Sequence, residues 1–98
     1  MGTGQGRTRS VVTSTYDIRI ARRAAKVLAG LERRDQQRIR AAIELLAENP
    51  RPPACVAMVG EQDVYRVRVG DYRIVYEVVD DVLVILVVRI GHRREVYR

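Results

Sequence analysis

Lysine is almost missing from this chain. Lys26 is the only one, although lysine and arginine together number 18 of 98 residues. Positive charge is therefore carried almost entirely by guanidinium groups, which stay protonated at any physiological pH. Cys55 is the single cysteine, so there is no disulfide framework, and with one histidine there is no metal-ligand cluster of recognisable spacing. No cofactor is expected. No run approaches the roughly 20 apolar residues of a membrane-spanning helix; Val82–Val88 is far too short. The N-terminus has no signal-peptide core, which gives a cytoplasmic protein as the expectation. A Gly-rich phosphate loop and a Ser/His/Asp arrangement are also missing, and most enzyme classes drop out with them.

What is present is a net charge of +6 and a pI near 10.2 on a chain that is 47% hydrophobic. That length and composition suit one small globular domain with a modest core. A basic balance of this kind suits nucleic acid, an anionic membrane surface or an acidic protein partner.

The densest pattern is Val64–Tyr76, V-Y-R-V-R-V-G-D-Y-R-I-V-Y. Two apolar-alternating runs are joined by Gly70-Asp71, a pair suited to closing a β-hairpin. With those two as the loop, Val69 faces Tyr72, Arg68 faces Arg73, Val67 faces Ile74 and Arg66 faces Val75. Paired residues share a face, so Arg66, Arg68 and Arg73 project from one side and Tyr65, Val67, Val69, Tyr72, Ile74 and Tyr76 from the other. Like charges directly across a ladder repel. Folding does not require that placement, whereas an anionic ligand does.

Taken in order, residues 1–14 are Gly-, Ser- and Thr-rich and read as a flexible tail, followed by a single domain over 15–98. Tyr16, Ile18 and Ile20 alternate as a first strand. Ala24, Val27, Leu28 and Leu31 form the stripe of a helix beginning near Ala21. A second helix is expected over about Asp35 to Glu48, capped by Asp35, with Ile39, Ala42, Ile43 and Leu46 as its stripe. The short link Glu32–Arg34 makes the two a helical hairpin, and Asn49-Pro50 ends the second. Ala54–Val59 holds a short extended piece. Strands follow at Val64–Val69 and Tyr72–Val79, and a turn at Asp80-Asp81 leads into Val82–Ile90, apolar enough for a sheet interior. That turn predicts Tyr76 opposite Ile85, Val75 opposite Leu86 and Arg73 opposite Val88. The fold class is α+β: a small, mainly antiparallel sheet with an N-terminal helical hairpin on the face bearing Val67, Ile74, Tyr76, Ile85 and Val87. The other face carries Arg66, Arg68, Arg73, Val75, Leu86 and Val88.

Arginines can hold a phosphate and stabilise extra negative charge in a transition state, but they cannot take a proton. Tyr97 or His92 must handle protons or stack on a base. Arg66 and Arg68 alone also fit the solvated face of an edge strand; Arg73 converging on them favours a ligand site. Tyr65, Tyr72 and Tyr76 belong with the core, Cys55 reads as a small buried hydrophobe, and Arg22, Arg23, Arg33 and Arg34 read as solvated helix charges.

The order strand, helical hairpin, Y-R-V-R-V-G-D-Y-R-I-V-Y, apolar strand and G-H-R-R-E-V-Y resembles the RelE group of the RelE/ParE toxin superfamily over about residues 15–98. The G-D-Y-R-I-V-Y segment is common to both branches; Arg93 and Tyr97 in the tail point to the RelE branch. The resemblance implies a microbial-RNase-type fold and the toxin of a type II toxin–antitoxin system. It implies a metal-independent endoribonuclease, an mRNA interferase that cleaves mRNA in the ribosomal A site by attack of the 2′-hydroxyl on the adjacent phosphate. It also implies an acidic RelB-like antitoxin as partner. Arg68, Arg73, Arg93 and Tyr97 fall at catalytic positions, and Arg66, His92 and Arg94 at RNA-binding ones. Arg66 and Arg68 stand where a well-known member has two lysines, and Ala54-Cys55-Val56-Ala57-Met58 lacks the lysines often found there. The other readings are a ParE-like toxin that inhibits DNA gyrase and a non-catalytic RNA-binding module.

Overall fold

A computed structural model describes residues 15–92 of the chain. The stretch 1–14, expected as a flexible tail, lies outside the described residues, as do Arg93, Arg94 and Tyr97. The elements are β1 (Asp17–Ile20), α1 (Arg22–Ala29), α2 (Arg33–Glu48), β2 (Val56–Ala57), β3 (Val64–Val69), β4 (Tyr72–Val79) and β5 (Val84–His92), with a 3₁₀ turn at Asp80–Val82. The strands form one five-stranded sheet in the order β1-β5-β4-β3-β2. Among the described strands only the β1–β5 pair is parallel. The fold is α+β, as expected, with both helices packed on one face of the sheet.

The helical stripes go where their spacing directs them. Ala24 and Leu28 of α1 are buried, as are Ile39, Ile43 and Leu46 of α2, and they meet Ile74, Tyr76, Val78, Ile85, Val87 and Ile90 of the sheet. Helix α2 begins two residues before the expected start, with Glu32 as N-cap and no side-chain cap bond. Asp35 instead sits in the first turn, where its carboxylate faces the positive end of the helix dipole. The link to α1 is held from the far side: Gln36 Nε2 donates to the carbonyls of Ala29 and Leu31, both at 3.1 Å. The Ala29 carbonyl is among the orphans that end every helix.

The β3–β4 hairpin has the register that the Gly70-Asp71 turn dictates, with Val69 opposite Tyr72, Arg68 opposite Arg73, Val67 opposite Ile74 and Arg66 opposite Val75. Gly70 takes φ +61°, which a side chain would strain.

The β4–β5 register differs from expectation. Tyr76 lies opposite Val87 rather than Ile85, Val75 opposite Arg89 rather than Leu86, and Arg73 opposite Gly91 rather than Val88. Two causes add. The connection is not the two-residue Asp80-Asp81 turn: Val79 pairs with Val84, and the 3₁₀ turn plus Leu83 at φ 56° fill the gap. That slides the pairing by an even step, which leaves Ile85 and Val87 under the helices. A β-bulge between Val75 and Tyr76 then leaves Val88 as the extra residue. Unbroken alternation after Ile85 and Val87 would drive Arg89 into the core. The bulge turns it out: Arg89 is exposed, and Ile90 is buried instead.

Tyr76 is fully buried and donates its hydroxyl to the Pro50 carbonyl at 2.7 Å; burial is the main cause pushing its phenol pKa above the ordinary value. The end of the sheet away from the Gly70 turn is closed by Arg51, which pairs with Asp63 at 3.2 Å and Asp80 at 2.9 Å. Its Nε donates to the Tyr65 hydroxyl at 2.8 Å, and Tyr16 donates to Asp80 at 2.6 Å. The Arg51 guanidinium first, then the Tyr16 hydroxyl, holds the Asp80 carboxyl below the ordinary carboxylate range. A carboxylate with a depressed folded-state pKa adds stability above its unfolded pKa, lost as pH falls through the folded value. Arg51→Met should therefore lower Tm at neutral pH and flatten the acid limb of the Tm profile between neutral and about pH 3. A variant profile running parallel to the parent's would exclude this clasp as the source.

Candidate functional site

The sheet face opposite the helices is built in rows. Across its hairpin-tip half run Arg68, Arg73 and Gly91, and in the next row Val56, Arg66, Val75 and Arg89. Sequence reasoning placed Arg66, Arg68 and Arg73 on this face, and the structure brings them together there. Arg89 was missed. It lies inside the run V-L-V-I-L-V-V-R-I, where strict alternation assigns it to the core side, and only the bulge at Val88 reveals its direction. An arginine in a strand otherwise destined for burial is the signal that could have found it, since an unpaired charge is not sequestered without cost.

Charge on this face is segregated. The acidic residue of the same face of β4, Glu77, lies beyond Val75 on the side away from the turn, opposite Val64 and Leu86. Among the described residues the ion pairs are those of Arg51 with Asp63 and Asp80, at the sheet's other end. Arg68 is exposed and turns its Nε to the Gly70 carbonyl at 3.3 Å, and Arg89 is exposed as well. Arg66 and Arg73 are half-buried. Cationic groups brought together on a partly desolvated surface attract a multivalent anion, and planar guanidinium forks match phosphate oxygens bidentately.

His92 does not join the row. It pairs with Tyr72, whose ring packs against the helical core, and the two rings meet edge to face at 5.8 Å and 75°. Histidine 92 is thus on the helix-bearing side, across the sheet from Arg68 and Arg73. Gly91, immediately before it, lies opposite Arg73; Arg93, Arg94 and Tyr97 lie outside the described residues. Among the described residues no three His, Cys, Asp or Glu side chains come together in a metal-binding arrangement, and no helix is long and apolar enough to cross a membrane.

Residues 18–97 match the family model for the ParE toxin of the type II toxin-antitoxin system, parDE. The chain belongs to the RelE/ParE toxin superfamily. A protein named as toxin RelE1 in Methanocaldococcus jannaschii is 30% identical over 86 residues, covering 85% of this chain and 96% of that one. Among solved structures, the isolated Escherichia coli RelE toxin superposes with TM-score 0.72 at 29% identity over 84% of this chain and 90% of that one. The archaeal RelE–RelB complex from Pyrococcus horikoshii superposes at 0.70 with 28% identity, covering 81% and 96%. The protein is therefore a RelE-type member, the toxin of a type II toxin–antitoxin system, and its arginine face is the open face of a RelE-type sheet.

Placing Arg68 opposite Arg73 costs stability. Arg68→Glu converts a repulsive cross-strand pair into an attractive one, each worth roughly 0.2–1 kcal/mol, so the variant should melt at or above the parent's Tm while losing affinity for polyanions. A fall in Tm would show that repulsion is not the dominant cross-strand term.

Proposed function

We propose that this toxin is a ribosome-dependent endoribonuclease of the cytoplasm, cleaving mRNA in the ribosomal A site without a metal. The observation that carries the reading is the like-charged Arg68–Arg73 pair on the open face, flanked by Arg66 and Arg89. In this reading Arg68, Arg73 and Arg93 hold the scissile phosphate and stabilise the additional charge as the 2′-hydroxyl oxygen bonds to phosphorus. The P–O5′ bond breaks, leaving a 2′,3′-cyclic phosphate and a 5′-hydroxyl. Arg66 and Arg94 bind the flanking backbone. Guanidinium cannot accept the 2′-hydroxyl proton. Tyr97 is the residue assigned to it, or to orienting the nucleotide, because the ring of His92 packs against Tyr72 on the opposite side of the sheet. The family match extends through residue 97 and so includes Arg93 and Tyr97.

Arg73→Ala and Arg93→Ala should each lower A-site cleavage on the order of 10²–10³-fold, the usual cost of one charge-stabilising contact, with Tm nearly unchanged. Tyr97→Phe keeps the ring and deletes the hydroxyl: a steep loss assigns proton transfer to Tyr97, and retained activity assigns it stacking. The assay is in-vitro translation with purified protein and primer extension to map mRNA ends. Should all three variants cleave like the parent, the arginine face is not the catalytic site.

The match to the ParE model supports a second reading, inhibition of DNA gyrase by binding. Inhibited supercoiling by a protein that leaves mRNA intact on ribosomes would select it.

The partner in either case is an acidic RelB-like antitoxin, supported by the RelE–RelB complexes among the structural relatives. Charge complementarity places it over the arginine-lined open face and its apolar floor at Leu86. Leu86→Asp combined with Arg68→Glu should abolish co-purification with the neighbouring antitoxin. Undiminished capture would move the interface to the helical side.

A further inference from the structure

The arginine row does not stop at the edge of the sheet. Arg68 reaches from the open face to the turn and donates its Nε to the Gly70 carbonyl at 3.3 Å. Arg38 reaches the same residue from α2, on the helical side. A Cβ added at Gly70 would lie 3.1–3.3 Å from three atoms of the Arg38 guanidinium. Near-equal approach of NH1, NH2 and the central carbon means that the planar group lies flat over the glycine. A side chain at position 70 would press the Arg38 tip by a few tenths of an ångström, and φ +61° strains it there in any case.

Two guanidinium groups thus converge on one exposed residue from opposite faces. The carboxylates nearest in sequence are Asp35, one helical turn before Arg38, and Asp71, in the turn itself. Among the described residues neither makes an ion pair with Arg38 or Arg68; the ion pairs present are those of Arg51. A helix surface offers Arg38 many solvated rotamers, and its holding at the same turn as Arg68 is not explained by folding energetics.

We propose that Arg38, lying over Gly70 and next to Arg68, forms a second phosphate subsite at the rim of the sheet, which takes the RNA backbone beside the cleaved nucleotide and leads the strand over the hairpin tip onto α2. This rests on the reading of the protein as an RNA-cleaving toxin. The rim site binds and positions; the scissile phosphate stays with Arg68, Arg73 and Arg93.

The test is binding of a fluorescein-labelled, 2′-O-methylated single-stranded RNA, which cannot undergo 2′-hydroxyl attack, to the full chain over a salt series. Each phosphate contact on single-stranded nucleic acid contributes about 0.7 to the slope of log K against log[salt]. Arg38→Gln should weaken binding roughly fivefold at low salt and reduce that slope by about 0.7, while Arg38→Lys, which keeps the charge, should keep the slope. Parent slope in Arg38→Gln overturns the subsite, and so does failure of the parent to bind this RNA. An Arg38-dependent slope in a protein that cleaves no mRNA on ribosomes leaves the subsite standing and removes the nuclease reading. Cleavage with an Arg38-independent slope does the reverse.

Discussion

In a sheet with helices on one side only, a one-residue slip exchanges the buried and open sets of side chains. Register is therefore the constraint on which both the core and the arginine face of this toxin depend. It is set at two places by different means. At Gly70-Asp71 the backbone does it: a tight turn with Gly70 at φ +61° fixes Arg68 opposite Arg73 and sends Ile74 and Tyr76 to the helices. At Val88 a bulge does it, by inserting one residue just where alternation would carry Arg89 under the helices. The two corrections agree. Upstream of the bulge Ile85 and Val87 are buried, downstream Ile90 is, and the charge between them is outside.

This division explains how much was readable beforehand. The hairpin follows from local chemistry, a two-residue turn between alternating runs, and every pair it implied is present. The helical stripes follow from a 3.6-residue period and needed no knowledge of the sheet. The β4–β5 register was not legible in the same way. Asp80-Asp81 has the composition of a tight turn, yet Tyr16 and Arg51 both engage Asp80 there, and the chain closes through a 3₁₀ turn with Leu83 left-handed. Those partners lie 64 and 29 residues away in sequence, out of reach of any window-based argument. Helix α2 starts early from Glu32, which makes no side-chain cap bond, while the side-chain amide of Gln36 holds the end of α1. In the site, Arg66, Arg68 and Arg73 were visible because their strands alternate cleanly; Arg89 was hidden because its strand does not.

The two ends of the sheet show opposite uses of arginine. Arg51 is held by two carboxylates and a tyrosine hydroxyl, and its charge is spent on closing loops. At the Gly70 end Arg68 and Arg38 share a turn without an ion pair among the described residues. The same side chain is structural where acids surround it, and at the Gly70 end it is available for the phosphate contacts proposed above. Net charge alone could not separate these cases, because it counts both alike.

In the proposed nuclease reading, arginine in place of lysine also constrains where proton transfer would occur. A row of lysines could in principle lend a neutral amine at depressed pKa, but guanidinium remains charged, so the arginine face binds and stabilises without accepting protons. Any proton acceptor must therefore be brought to the face from outside the arginine set. The topology provides one route: β5 runs through the sheet interior between β1 and β4, and its penultimate residue, Gly91, ends opposite Arg73. An interior strand of the sheet thus ends beside the arginine row. A change in the Val88 bulge would shift Arg89 and Gly91 together against β4.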